Sequence, residues 1–131
     1  MNITNPLLKA LLSLEGLSIG DAFGQCFFYS KDPDAEIVDR RSPDAPWYFT
    51  DDTLMSLSVV SILAEFGSIE QDQLAESLAL HYDYNRSYGP SMHRLLARIR
   101  AGEDWRQVVA TKFAEQGSWG NGAAMRAAPI G

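Results

Sequence analysis

Thr50-Asp51-Asp52-Thr53-Leu54-Met55-Ser56-Leu57-Ser58-Val59-Val60-Ser61-Ile62-Leu63-Ala64-Glu65-Phe66-Gly67 is the stretch that decides the fold. Thr50 is a good N-cap, an apolar run long enough for several helical turns follows, and Gly67 stops it. Asp51 and Asp52 therefore fall in the first turn. Carboxylates there are commonly only caps, each stabilised by the helix macrodipole by roughly 0.3–1 kcal/mol. Two adjacent carboxylates between two hydroxyls are also a hard, oxygen-only donor set suited to Mg²⁺ or Mn²⁺. Taken alone, the motif reads more simply as a cap.

Upstream, Asn5-Pro6 opens a first helix, with Asn5 as cap and Pro6 at the first helical position. Leu7, Leu8, Leu11, Leu12 and Leu14 give it an apolar face. Gly16, Gly20 and Gly24 then recur at helical spacing. Each costs roughly 0.8–1.0 kcal/mol relative to Ala inside a helix. Either another backbone packs closely along that face, or the helix ends near Gly16 and the rest is loop. Asp21 stands within the row and could reach a polar site beside it. From Tyr29 to Tyr48 no period is evident, and Pro33, Pro43 and Pro46 suggest one long functional or solvated loop.

Downstream, Ser68 with Gln71 predicts a capping box opening a helix whose stripe is Leu74, Ala75, Leu78, Ala79 and Tyr82. Pro90 starts a helix with Met92, Leu95, Leu96 and Ile99 inward, His93, Arg94, Arg98 and Arg100 outward, and Gly102 at its end. Asp104 caps a further helix bearing Trp105, Val108, Val109 and Phe113, closed by Gly117. Every periodic segment is helical. The fold class is all-α, an orthogonal or antiparallel arrangement of about six helices with short connections and one long loop.

The 131 residues suit one domain able to bury a core, and 46% hydrophobic content excludes wholesale disorder. A net charge of −6 argues against a nucleic-acid surface. Cys26 is the only cysteine, so no internal disulfide or thiolate cage can form, which fits a reducing, cytoplasmic location. No stretch reaches the roughly 18 apolar residues needed to cross a bilayer.

The last run is Gly117-Ser118-Trp119-Gly120-Asn121-Gly122-Ala123-Ala124-Met125-Arg126. It reads as a side-chain-poor turn opening onto an Ala-rich helix. Such a turn can present backbone N–H groups to phosphate oxygens, with Ser118 and Asn121 adding polar contacts. Trp119 could stack on a flat ring or fill the core. The apolar residues that follow lack an obvious partner, so residues 1–131 are expected to be the N-terminal part of a larger helical fold. Alone they should be aggregation-prone or oligomeric.

Three motifs stand in order: Gly20-Asp21-Ala22-Phe23-Gly24, Phe49-Thr50-Asp51-Asp52-Thr53 and Gly117 to Arg126. Together they resemble the ADP-ribosylglycohydrolase family, over nearly the whole chain but only about half of the usual family fold. The resemblance implies an all-helical hydrolase that cleaves the bond between ADP-ribose and a modified acceptor. It implies two Mg²⁺ or Mn²⁺ ions, with Thr50, Asp51 and Asp52 as ligands and Asp51 and Asp52 at the reacting centre. It places Asp21, Gly117, Ser118, Trp119, Gly120 and Asn121 along the bound ADP-ribose. The implied partners are ADP-ribose, an ADP-ribosylated protein, and a complementing C-terminal half or a second copy. Two departures stand out. Phe28 occupies the position of a family glutamate, for which Glu36 is the nearest later substitute. The family's downstream Asp-x-Asp-Thr ligand cluster is absent. An alternative is therefore a catalytically impaired ADP-ribose-binding or partner-binding module.

Overall fold

The Asn5-Pro6 start forms as the sequence requires in the computed structural model, which describes residues 5–112, 117–118 and 120–130. The Asn5 side-chain oxygen accepts from the backbone N–H groups of Leu7 and Leu8 at 2.9 and 3.4 Å. Helix α1 then runs unbroken over Pro6–Phe27. It passes through all three glycines, so the loop alternative does not hold. Nor does the close backbone, for a Cβ built on Gly16, Gly20 or Gly24 meets nothing within 4 Å. The glycine face opens instead onto space, and α1 is held by its other face.

That other face packs on α3, Asp51–Phe66. Ala10 and Leu14 of α1 form one core cluster with Val60. On another side of α3, Met55 joins Tyr88 and Leu96 in a second cluster, with Leu78, Tyr82 and Met125 packed against it. Met55 and Leu96 are each only 1% exposed. Burial on that scale stabilises by roughly 1.5–3 kcal/mol per side chain. Helix α3 is thus the element around which the rest is arranged. Thr50 caps it, accepting from the Asp52 N–H at 3.3 Å, and Gly67 ends it at φ +72°, where a β-carbon would be strained.

The segment after Tyr29 is not structureless. A short helix α2, Pro33–Val38, begins where Asp32 accepts from the Ala35 N–H at 3.1 Å. Its cap-plus-proline start repeats that of α1, but six residues are too few to show a period. Helix α4, Gln71–Leu80, lacks the expected capping box. The Ser68 hydroxyl donates to the Glu70 carboxylate at 3.0 Å, and the helix starts at Gln71 itself.

Helix α5 spans Pro90–Arg100 and ends before Gly102 at φ +92°. His93 does not face outward. Its Nδ1 lies 2.5 Å from the Tyr82 hydroxyl, and its ring sits 4.8 Å from that of Tyr84. Arg98 does point out, in a two-pronged pair with Glu103. Helix α6 covers Trp105–Ala110, capped by Asp104, and the Trp105 indole N–H donates to Asp72 of α4 at 2.7 Å. Phe113 lies outside the described residues.

The closing run gives a 3₁₀ turn, Ala124–Arg126, instead of an α-helix. One i→i−4 bond forms, from the Met125 N–H to the Asn121 carbonyl at 3.0 Å, but Gly122 before the turn and Pro129 after it do not continue an α-helix. Among the described residues there is no strand, and no helix is long and apolar enough to cross a membrane. Leu8, Leu11, Leu12 and Ile19 of α1 remain 44–58% exposed.

Candidate functional site

The first turn of α3 is built by residues far from it in sequence. Asp21, in the glycine-lined part of α1, reaches across to it with both carboxylate oxygens. Oδ1 accepts from the Thr50 hydroxyl at 2.6 Å, and Oδ2 from the Thr50 N–H at 2.8 Å. Oδ2 also accepts from the Thr53 hydroxyl at 2.6 Å and the Thr53 N–H at 3.2 Å. Thr50 and Thr53 are each 5% exposed, so these bonds are made in a largely water-free place. Charge-assisted hydrogen bonds of this kind are the stronger sort. Asp21 is therefore a clamp on the turn that carries Asp51 and Asp52.

With the turn fixed, Asp51 and Asp52 face a cleft of about 630 Å³. Its size lies within the usual range for small-molecule sites, about 300–1,000 Å³. Gly20, Asp21 and Gly24 form its α1 wall, Asn121 and Met125 come from the closing run, and Phe28 stands at the rim, 84% exposed. Gly20 and Gly24 thus expose bare helix to the cleft. Burial raises the Asp51 carboxyl to about 6, helped by the negative charges of Asp52 and Asp21. The cleft floor is a concentration of negative charge and hard oxygen donors. Among the described residues, however, no three or more His, Cys, Asp or Glu side chains converge as a complete metal cage.

Not every residue singled out in the sequence reaches the cleft. Thr50, Asp51, Asp52, Asp21 and Asn121 line it together. Gly117, Ser118 and Gly120 are not among its lining, and the Ser118 hydroxyl accepts from the Gly120 N–H at 3.1 Å, within its own loop. Trp119 lies outside the described residues. Glu36 sits on α2 and does not line the cleft, whereas Phe28 does.

Sequence reasoning missed the wall made by residues 86–89. The Arg86 carbonyl accepts from the Asp51 N–H at 2.7 Å. The Arg86 guanidinium lies 3.9 Å over the Phe49 ring and donates to the Phe49 carbonyl at 3.1 Å. Ser87, at φ +60°, and Gly89 line the cleft, and the Gln25 amide donates to the Ser87 hydroxyl at 3.2 Å. The available signal was a polar turn ending in Gly89-Pro90, which by itself names no site.

Known proteins resemble the chain over most of its length. A family model described as ADP-ribosylglycohydrolase matches residues 4–131. ADP-ribosylhydrolase ARH3 of Danio rerio is 28% identical over 130 residues, covering 90% of this chain and 35% of that protein. ADP-ribosylhydrolase ARH3 of Xenopus tropicalis is 33% identical over 87 residues, 63% of this chain and 25% of that protein. The chain thus spans about a third or less of the length of these relatives. No solved structure matches it.

Proposed function

The chain belongs to the ADP-ribosylglycohydrolase family, and from that premise we propose that its cleft takes ADP-ribose, free or attached to a modified protein side chain. The reaction served is hydrolysis of the bond between the anomeric carbon of the ribose and its acceptor. The observation that carries this reading is the meeting, in one cleft, of side chains from three separate motifs: Asp21, then Asp51 and Asp52, then Asn121.

Thr50, Asp51 and Asp52 would hold Mg²⁺ or Mn²⁺. The fit rests on the donors themselves, which are hard oxygens, and on the Asp51 carboxyl, raised first by burial and then by the negative charges of Asp52 and Asp21 that a cation would offset. A divalent ion there would supply charge to orient the ribose hydroxyls and to activate water. The chain's own residues do the rest. Asp21 keeps the first turn of α3 in place, and Asp51 and Asp52 present their carboxylates to the cleft. The bare backbone at Gly20 and Gly24 lets a ligand lie close to α1. In the ion-free site Asp51 gains and loses a proton near pH 6. The further ligands of a two-ion centre would come from outside these residues.

A non-catalytic ADP-ribose-binding module is the second reading, and Phe28 favours it. An exposed phenyl ring at the rim can neither hold a cation as a ligand nor move a proton. Calorimetry of ADP-ribose binding with and without Mn²⁺, on wild type and on the Asp51→Ala/Asp52→Ala variant, tests the site. Metal-dependent binding lost in the variant is the expected outcome, and equal binding in all conditions would refute the metal assignment. Release of ADP-ribose from a modified arginine or serine peptide then separates the hydrolase from the binding module.

A further inference from the structure

Tyr88 stands between Ser87 and Gly89, which line the cleft, yet it is itself only 5% exposed and belongs to the core cluster of Met55 and Leu96. The turn thus faces the cleft through its two outer residues and is anchored in the core by the middle one. Ser87 has φ +60°, a conformation that a residue with a side chain keeps only where its surroundings impose it. The bond from the Gln25 amide supplies part of that hold. His93 supplies another. Its backbone N–H donates to the Gly89 carbonyl at 3.3 Å, and its ring lies 5.9 Å from that of Tyr88. The same ring lies 5.7 Å from Tyr82 and 4.8 Å from Tyr84, and Tyr82 meets Tyr88 edge to face at 5.1 Å. Rings at such separations attract beyond their shared burial. Packing alone would need no nitrogen there. The His93 Nδ1, however, pairs with the Tyr82 hydroxyl at 2.5 Å, which satisfies both polar atoms and fixes the rotation of the imidazole.

We propose that His93 is a positioning residue for the cleft wall at 87–89. Paired with Tyr82 and set against Tyr88, its ring keeps Tyr88 in the core, and Ser87 and Gly89 thereby stay on the surface that meets the ligand. The hold belongs to the ligand-free protein. Only the identity of the ligand, ADP-ribose, rests on the function proposed above.

His93→Phe keeps a ring but cannot pair with Tyr82, and Tyr82→Phe removes the other partner. The Asp51 and Met92 N–H groups are bonded to the Arg86 and Gly89 carbonyls at 2.7 and 2.8 Å, so their hydrogen exchange reports whether the wall keeps its place. In either variant, without ligand, their exchange should rise several-fold more than that of Val60 in the α1–α3 cluster. ADP-ribose affinity, read by calorimetry, should fall about fivefold in each variant. It should fall no further in the pair, because both changes remove one interaction. Ile62→Val, a buried change elsewhere on α3, is the control, and should lower the urea midpoint while leaving affinity as in wild type. Exchange rising equally at all three amides, unchanged affinity, or losses that add in the pair would overturn the proposal and leave His93 a packing residue. Should His93→Phe not fold, Tyr82→Phe carries both measurements. Absence of ADP-ribose binding in the wild type would refute the proposed function, while the exchange result would still decide this one.

Discussion

Asp21 and Thr50 are joined twice, through the hydroxyl at 2.6 Å and through the backbone N–H at 2.8 Å, across 29 residues of sequence. Thr50 is itself the N-cap of α3. The helix that carries the acidic pair is therefore capped in two tiers. Thr50 serves the Asp52 N–H, and Asp21 serves Thr50 and Thr53. The backbone donors of the helix start therefore do not depend on the acidic pair, although the Thr50 hydroxyl also lies 3.2 Å from Asp52 Oδ2.

Replacing Asp21 should therefore be costly for stability as well as for binding. Asp21→Asn keeps the shape but swaps one acceptor oxygen for an amide NH₂, which cannot accept from Thr50 or Thr53. The loss should be about 1.5–3 kcal/mol, read from urea unfolding. Asp21→Ala should lose at least as much. A variant as stable as wild type would show that the clamp is not needed to hold the turn.

Asp51 makes stability depend on pH in a direction opposite to most carboxylates. Its folded value of about 6 lies above the ordinary 3.8, so the folded state binds the proton more tightly than the unfolded chain. The contribution is fully present below about pH 4 and is lost as pH rises through 6. In metal-free buffer the urea midpoint should fall between pH 4 and 6, and Asp51→Asn should flatten that slope. Mn²⁺ should restore the midpoint at pH 7 by stabilising the ionised carboxylate. A midpoint that rises over this range in wild type and variant alike would contradict the assignment to Asp51.

How much of this was legible follows from how local each signal is. Asn5-Pro6, Thr50 and Asp104 cap their helices as read, because cap and helix are neighbours in sequence. The same chemistry at Asp32-Pro33 was there to be seen, but α2 is too short to confirm itself by periodicity. Helical spacing places His93 outward, whereas Tyr82 and Tyr84, from the segment before α5, draw it into an aromatic cluster. The glycine row declared a face of α1 without saying what lies beyond it, and only the fold shows that it is open space. For the site, the residue types pointed to the cleft but not to its connections. That Asp21 clamps Thr50, and that Arg86 from 37 residues away braces Phe49, are long-range facts that no motif encodes.

Phe28 offers a gain-of-function test. It stands at the rim of the cleft, 84% exposed, so a different side chain there disturbs no packing. Phe28→Glu would add a carboxylate to the cleft that Asp51 and Asp52 also line. Mn²⁺ affinity should rise by about tenfold, equivalent to about 1.4 kcal/mol, measured by calorimetry, with the unfolding midpoint in metal-free buffer little changed. An unaltered affinity would place position 28 out of reach of the ion.

The glycines of α1 allow stability and binding to be driven apart. Gly20 and Gly24 sit inside a helix, where glycine is less favourable than alanine by roughly 0.8–1.0 kcal/mol. Neither lies where an added Cβ would touch anything within 4 Å, and neither has a positive φ that would penalise it. Gly24→Ala should therefore stabilise the protein by up to that amount. The same methyl group projects into the cleft, where bare backbone lets a ligand approach. ADP-ribose affinity should consequently fall while the urea midpoint rises, a pairing that damage to the fold cannot produce. Gly16, which does not line the cleft, supplies the control: Gly16→Ala should raise stability similarly and leave affinity unchanged. If Gly24→Ala raised stability with no change in affinity, the ligand would not lie against this part of α1.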